Sequence, residues 1–272
     1  EEPEIADGPE WTYSLDSDNN AVYVKCTESL KVQNGTVIIP DTIDGYPVKS
    51  LGYKVFENSL KQVNIVILPN TLEIIESSAF GGLTSLREIQ LNEGLKIIKG
   101  NAFQNTINLT SITIPDTVET IYYSAFWKSG LTEVKLPTSI TTLPMNSFNN
   151  EYLTEIKIPK NITEINDTAF GNNLQTIYGY KGTAAEDYYN SHKETNPDLI
   201  FIDLDEIPEI PKEPEGDTEL KGEGIAIVIK MSITPSITLN IDPNNPDNPV
   251  SSTYLSIVNN SNAPIDVLIE KL

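Results

Sequence analysis

Few side chains in this 272-residue chain could make or break bonds. There is one histidine, His192, and one cysteine, Cys26. Acid–base or nucleophilic catalysis needs a base held beside a nucleophile, with a further group orienting the base. Neither residue has such company nearby in sequence, and the chain has no glycine-rich phosphate loop and no metal-ligand spacing. His192 reads as a solvated surface residue. Cys26, inside the alternating stretch AVYVKC, reads as a small buried hydrophobe, and a lone cysteine excludes an intramolecular disulfide. Two oxygen-rich stretches look like fragments of calcium loops. In DSDNN at 16–20 a calcium loop would require Gly at its sixth position and Glu at its twelfth, but Ala21 and Thr27 stand there. That stretch reads as a turn, and DPNNPDN at 242–248 is similarly oxygen-rich. The sequence predicts no catalysis, no cofactor and no metal.

Charge narrows the partners. The net charge is -21, of which residues 1–20 carry -7 and residues 203–219 another -7. Acidity is thus concentrated in two segments that read as solvated. Such a chain repels nucleic acid and anionic lipid, so no nucleic-acid partner is expected. No stretch approaches the roughly 20 apolar residues of a membrane helix. The first residues, EEPEIADGPEW, lack the basic start and apolar run of a signal peptide.

The elements that position everything else repeat. Phe56, Phe80, Phe103, Phe126, Phe148 and Phe170 recur at spacings of 24, 23, 23, 22 and 22 residues. A period in the range of about 20–50 residues marks a stacked repeat fold. Each unit supplies a short strand of the form L-x-x-I-x-I/L, such as Leu86-Ile89-Leu91 and Leu109-Ile112-Ile114. The period of two at the end of each motif sends those side chains into the interior. Proline then ends the strand in most units, at Pro69, Pro115, Pro137 and Pro159. A second apolar pair, for example Leu95/Ile98 or Val118/Ile121, points back inside. A small residue precedes the phenylalanine that fills the widest part of the coil. Between Phe56 and Phe80 the text LKQVNIVILP carries two extra residues, which predicts a bulge or a longer strand.

The flanks are read as ends. Residues 1–10 are expected to be a disordered tail, and 11–39 a β-hairpin with a following strand that caps the first coil. The solenoid with its C-terminal cap spans 40–202, with Thr183 capping a helix over 184–193 and Phe201-Ile202 forming a last strand. Residues 203–222, with Pro208, Pro211 and Pro214 among acids, read as an extended linker. Residues 223–272 read as a small antiparallel β-sandwich-like domain of about four strands, either truncated or pairing its edge with another chain. The fold class is therefore mainly β: a solenoid of short parallel strands with little helix, followed by that small β domain.

The stretch IPDTVETIYYSAF…LTEVKLP resembles the BspA-like leucine-rich repeats of bacterial surface proteins. IPDTIDGYPVKSLGYKVF at 39–56 resembles the family's opening repeat, and IYGYKGTAAEDYYN at 177–190 its closing motif. The likeness covers about residues 11–202. The chain departs in lacking the family's frequent Cys after the Phe turn, and at Asn92 and Met145-Asn146. The resemblance makes the solenoid a leucine-rich-repeat solenoid, and it implies a secreted or surface-exposed bacterial protein whose partners are proteins or glycans on host cells or other bacteria. A monomer is expected.

Two surfaces are candidates for binding. Positions between the buried strand residues point outward and stack into columns. One holds Glu88, Ser111, Glu133, Glu155 and Thr176, and the next Gln90, Thr113, Lys135, Lys157 and Tyr178. These read either as a charge-alternated soluble face or as a partner surface. The second candidate is an aromatic cluster of Tyr122, Tyr123 and Trp127, joined by Tyr152, able to anchor a protein or stack on a sugar ring. The leading functional reading is adhesin-like binding of macromolecules. A cell-envelope spacer and a carbohydrate-binding module are the alternatives.

Overall fold

The computed structural model describes residues 10–57 and 63–206, together with the strands at 225–228 and 268–271. The chain divides into a first unit, Glu1–Glu209, and a second, Ile210–Leu272.

The first unit opens with the antiparallel hairpin β1 (Trp11–Leu15) and β2 (Ala21–Cys26). DSDNN forms its turn: the Asp16 carboxylate accepts the backbone N–H groups of Asp18 and Asn20, which fixes the bend. Next come β3 (Thr36–Ile38), the small hairpin β4 (Thr42–Ile43) and β5 (Tyr46–Pro47), and β6 (Ser50–Leu51). Each later coil supplies one three-residue and one two-residue strand. These are β7 (Ile65–Ile67) and β8 (Ile74–Ile75), β9 (Glu88–Gln90) and β10 (Ile97–Ile98), and β11 (Ser111–Thr113) and β12 (Thr120–Ile121). β13 (Glu133–Lys135) and β14 (Thr142–Leu143), then β15 (Glu155–Lys157) and β16 (Glu164–Ile165), complete the set. β17 (Thr176–Gly179), the helix α1 (Ala184–His192) and β18 (Ile200–Asp203) follow.

Two parallel ladders run along the stack. The first joins β3, β7 and β9, then β11 and β13, then β15, β17 and β18. The second runs β2, β6, β8, β10, β12, with β14 and β16 as a separate pair. The expected inward apolar pairs are therefore strands themselves, a ladder that alternation over two residues is too short to reveal. β3 already pairs with β7 in register, so the solenoid begins within the segment expected to form the cap.

Between the ladders lies one continuous hydrophobic core. Phe80, Phe103, Phe126 and Phe148 are fully buried and stack at ring-centroid separations of 5.0, 5.0 and 5.1 Å, all within 12° of parallel. Trp11 meets Phe56 edge-on at the hairpin end, and Tyr188 of α1 meets Phe170 edge-on at the other. The aromatic stack is thus closed at both ends by side chains from non-repeating elements, and β1–β2 and α1 cover the apolar ends that a stack otherwise exposes.

From β7 onward each central strand residue lies 14 residues before the next phenylalanine, as from Val66 to Phe80 or Ile156 to Phe170, whereas in the first coil, which carries the β4–β5 hairpin, Val37 lies 19 before Phe56. That span belongs to both ladders, and hydrogen bonding fixes its length. All variation in the period falls in the link from Phe to the next strand, which runs outside them. The extra residues after Phe56 do not lengthen the strand: β7 has three residues like its neighbours, and Val63, Val66 and Leu68 occupy the buried positions. The bulge expected in LKQVNIVILP is absent from its described part, 63–69, where β7 pairs in register on both sides, and residues 60–62 lie outside the described residues.

At the C-terminal end Thr183 holds the N-cap position of α1, but its hydroxyl donates to Tyr180 O instead of accepting a helix N–H. Glu186 reaches back to accept the N–H of Gly182. Asp203 ends β18, and Lys181 pairs with Asp203 and Glu206 while Lys160 pairs with Asp205. The first four residues expected in the linker are therefore held on the solenoid by opposite charge. In the second unit β19 (Ile225–Val228) pairs antiparallel with β20 (Leu268–Lys271). The remaining strands expected there, the tail at 1–9 and the calcium-like stretch at 242–248 lie outside the described residues.

Candidate functional site

The outward columns form as their spacing predicts. Ser111 and Thr113 sit beside Glu133 and Lys135, and Glu155 and Lys157 beside Thr176 and Tyr178, in register. Glu88, Gln90, Ser111, Thr113, Glu133, Lys135 and Lys157 are exposed, while Glu155, Thr176 and Tyr178 are half-buried. Burial and the neighbouring Glu155, to which its hydroxyl hydrogen-bonds, push the Tyr178 phenol above its ordinary value. Ile67 stands beside Gln90, and Ile38 beside Ile67, so the second column becomes aliphatic toward the hairpin end. Ile38 and Ile67 are 65% and 47% exposed, and Ile200 on β18 is 50% exposed.

Ion pairs among the described residues avoid this face. Some lie at the two ends of the stack, around Glu57 and after β18. The rest lie beside the second ladder, where Glu73 is clasped by Lys49 at 2.6 Å and Lys96 at 2.8 Å from the coils on either side. Lys99 and Glu76 pair at 2.7 Å three residues further along each coil. The charges on the sheet face are thus left for solvent or a partner. Alignment on Phe places Lys49, Glu73, Lys96 and Glu119 in one column, so this alternation was visible in the sequence once the second strand was known.

The hydrogen bonds of Glu73 with Lys49 and Lys96 hold its carboxyl below the usual carboxylate range. The folded chain therefore binds this proton more weakly than the unfolded chain. The stabilisation is complete above the ordinary carboxylate value and is lost as pH falls through the depressed folded value. The groups are about one-third exposed and solvent-screened, so Glu73→Gln is expected to lower the unfolding free energy by no more than about 1 kcal/mol at neutral pH. Urea titrations at neutral and strongly acidic pH check this, with the difference vanishing in acid.

A cleft of about 370 Å³ opens where β9 and β11 lie side by side without ladder hydrogen bonds, lined by Arg87, Glu88, Gln90, Glu93, Ser111 and Thr113. Sequence reasoning gave no sign of this seam. A second cleft, about 310 Å³, lies under α1 and includes Asp167, Tyr188, His192 and Asn196. His192 is half-buried rather than solvated: its ring stacks on Tyr188 at 4.0 Å, and Nε2 lies 3.0 Å from Asp167 O. That geometry ties α1 to the last coil. Burial raises the Tyr188 phenol to about 12, so it stays protonated.

The aromatic cluster is divided in role. Tyr122, Tyr123 and Tyr152 are exposed, but Trp127 is half-buried, with Lys128 Nζ 4.7 Å from the centre of its ring. Tyr123 lies over Gly100, where a side-chain carbon would meet the phenol ring at 3.0 Å. Cys26 is fully buried and its N–H donates to Val55 O. Among the described residues no group of three or more His, Cys, Asp or Glu could hold a metal ion, and no helix is long and apolar enough to cross a membrane.

Two ladders of short parallel strands around one stack of phenylalanines define a leucine-rich-repeat solenoid. Residues 49–176 match the BspA type leucine rich repeat region in six copies, and this repeat region belongs to that family. Among solved structures, the chain is similar to a T. pallidum leucine rich repeat protein (23% identity, TM-score 0.49), over 69% of this chain and 93% of that one. It is also similar to a leucine rich cell surface protein of Faecalibacterium prausnitzii (26% identity, TM-score 0.47), over 66% of this chain and 55% of that one. A third likeness is to the pneumococcal vaccine antigen PcpA (18% identity, TM-score 0.49), over 66% of this chain and 46% of that one. The chain thus spans only about half the length of the last two. No curated protein matches it.

Proposed function

We propose that this is a non-catalytic, surface-exposed or secreted bacterial protein that binds macromolecules, in the manner of an adhesin, through the outward face of the first ladder. The observation carrying this reading is the unpaired state of that face. Glu88, Glu133, Lys135 and Lys157 are exposed and take part in none of the ion pairs found among the described residues, whereas lysines and acids beside the second ladder are paired across coils. Repeat solenoids bind along such extended faces, where each coil adds one small contact. The BspA-type repeats agree with a surface setting, and so does a net charge that disfavours nucleic acid.

The test is saturable binding of the purified full chain to immobilised extracellular-matrix proteins, bacterial surface proteins and glycans. Lys135→Ala with Lys157→Ala is expected to weaken binding to a captured protein by about tenfold or more and to flatten its salt dependence. Trp127→Ala is expected to leave binding unchanged, because Lys128 already covers that ring. No saturable binding to any panel member overturns the reading and leaves the spacer.

A further inference from the structure

We infer that the outward face of the first ladder also docks onto the same face of a second copy of this chain, the two solenoids lying parallel. This rests on reading that face as the binding surface, and it departs from the monomer expected from sequence.

The two columns differ by two residues along each strand and so run side by side about 7 Å apart, with successive coils about 4.8 Å apart. Four of the levels carry chemistry that complements itself when the columns exchange. Ile65 accompanies Ile67 near the hairpin end, Glu133 accompanies Lys135 in the middle, and Ile200 accompanies Ile202 at the far end. Glu155 and Lys157 repeat the central arrangement one coil on. Consider a second copy turned over by a two-fold axis parallel to the stack. The turn exchanges the columns while keeping the order of coils. Glu133 then faces Lys135 of the second copy and Lys135 faces its Glu133, while the aliphatic levels meet aliphatic levels at both ends. Turning the copy about the strand direction instead lays acid column on acid column. The parallel arrangement is therefore the complementary one, and it is isologous, as a two-fold interface must be.

The size of the face sets the strength. A strip about 40 Å long and 10 Å wide buries less than about 1,000 Å² in total, below the size of stable interfaces and within the transient class. A single pair of chains associates weakly, and many copies on one surface strengthen one another through effective concentration.

Sedimentation of the full chain from micromolar to millimolar concentration, at low and high salt, tests this. Self-association weakened by salt is expected. Glu133→Lys and Lys135→Glu each put like charges opposite one another at two places in the dimer, and each is expected to weaken association by about tenfold or more. Both sites are exposed, so folding is kept, and circular dichroism confirms it. An equal mixture of the two variants pairs a lysine-only with a glutamate-only level, and is expected to regain association within a few-fold of the parent chain. A chain monomeric at every concentration overturns the inference, as does association that neither swap weakens. Swaps that weaken it without rescue in the mixture overturn the parallel arrangement. A monomeric chain that still binds a foreign partner through Lys135 and Lys157 refutes only the homotypic contact and leaves the proposed function intact.

Discussion

Replacing Phe103 by Ala is expected to cost about 3–5 kcal/mol of unfolding free energy, the range for emptying a fully packed aromatic site. Phe103 is completely buried and stacked on both sides, 5.0 Å from Phe80 and 5.0 Å from Phe126, with rings 12° and 5° from parallel. The loss has two parts: the transfer and cavity terms of the side chain, and two ring contacts worth about 0.5–1.5 kcal/mol each. Phe56 offers the internal comparison. It is slightly exposed and meets Phe80 at 6.1 Å with a 42° tilt, so Phe56→Ala is expected to cost less. Because each coil touches only its neighbours, a hole at Phe103 also decouples the two halves. Urea unfolding followed by tyrosine fluorescence and circular dichroism should then lose its single cooperative transition and show a reduced m-value. An unfolding free energy unchanged from the parent would sink the assignment of the aromatic stack as the core.

The second large effect is expected at Gly130. A β-carbon there would lie 2.1 Å from the carbonyl oxygen and 2.7 Å from the carbonyl carbon of Ile107, backbone atoms of the preceding coil that cannot rotate away. The Gly130 N–H donates to Thr106 O at 3.1 Å, so moving the loop outward breaks a coil-to-coil hydrogen bond. Gly130→Ala gains about 0.4–1 kcal/mol by restricting the unfolded chain and loses about 1–3 kcal/mol or more to overpacking. The clash wins, and a net loss near 2 kcal/mol is expected from urea midpoints. Gly45 is the control: nothing lies within 4 Å of its would-be β-carbon, but its φ is +85°. Its replacement by Ala is expected to cost only the backbone strain, about 1 kcal/mol. If the two substitutions cost the same, close approach at Gly130 is not what fixes that link.

Much of the fold was legible because burial follows local period. Ile89 and Leu91, two residues apart, had to share a face in any strand, and the recurrence of Leu86, Ile89, Leu91 and Phe103 at fixed offsets marked the coil. The outward columns followed from the same alternation. His192 was misjudged because its partners, Tyr188 and Asp167, lie on the same helix and on the preceding coil, a combination that sequence neighbours do not show. The half-burial of Trp127 beneath Lys128 was hidden for a related reason: it depends on how Lys128 folds over the ring, which sequence adjacency does not show.

The sequence by itself determined the coil: its length, its buried residues, the aromatic at its widest point and the identity of the residues that face out. Those depend on which side of a strand a residue occupies, a property of adjacent residues alone. Only the tertiary structure decided how coils meet. It settled the hydrogen-bonded second ladder, the unpaired seam between β9 and β11, the clasp of Glu73 by Lys49 and Lys96, and the touch of Gly130 on Ile107. Each of these joins residues from different coils, about one period apart. Their distances depend on how one coil seats on the next, and no local alternation of apolar and polar residues encodes that. The same separation explains why the charged columns were predictable as residues, whereas their freedom from ion pairing, on which the proposed binding rests, became visible only with the coils stacked.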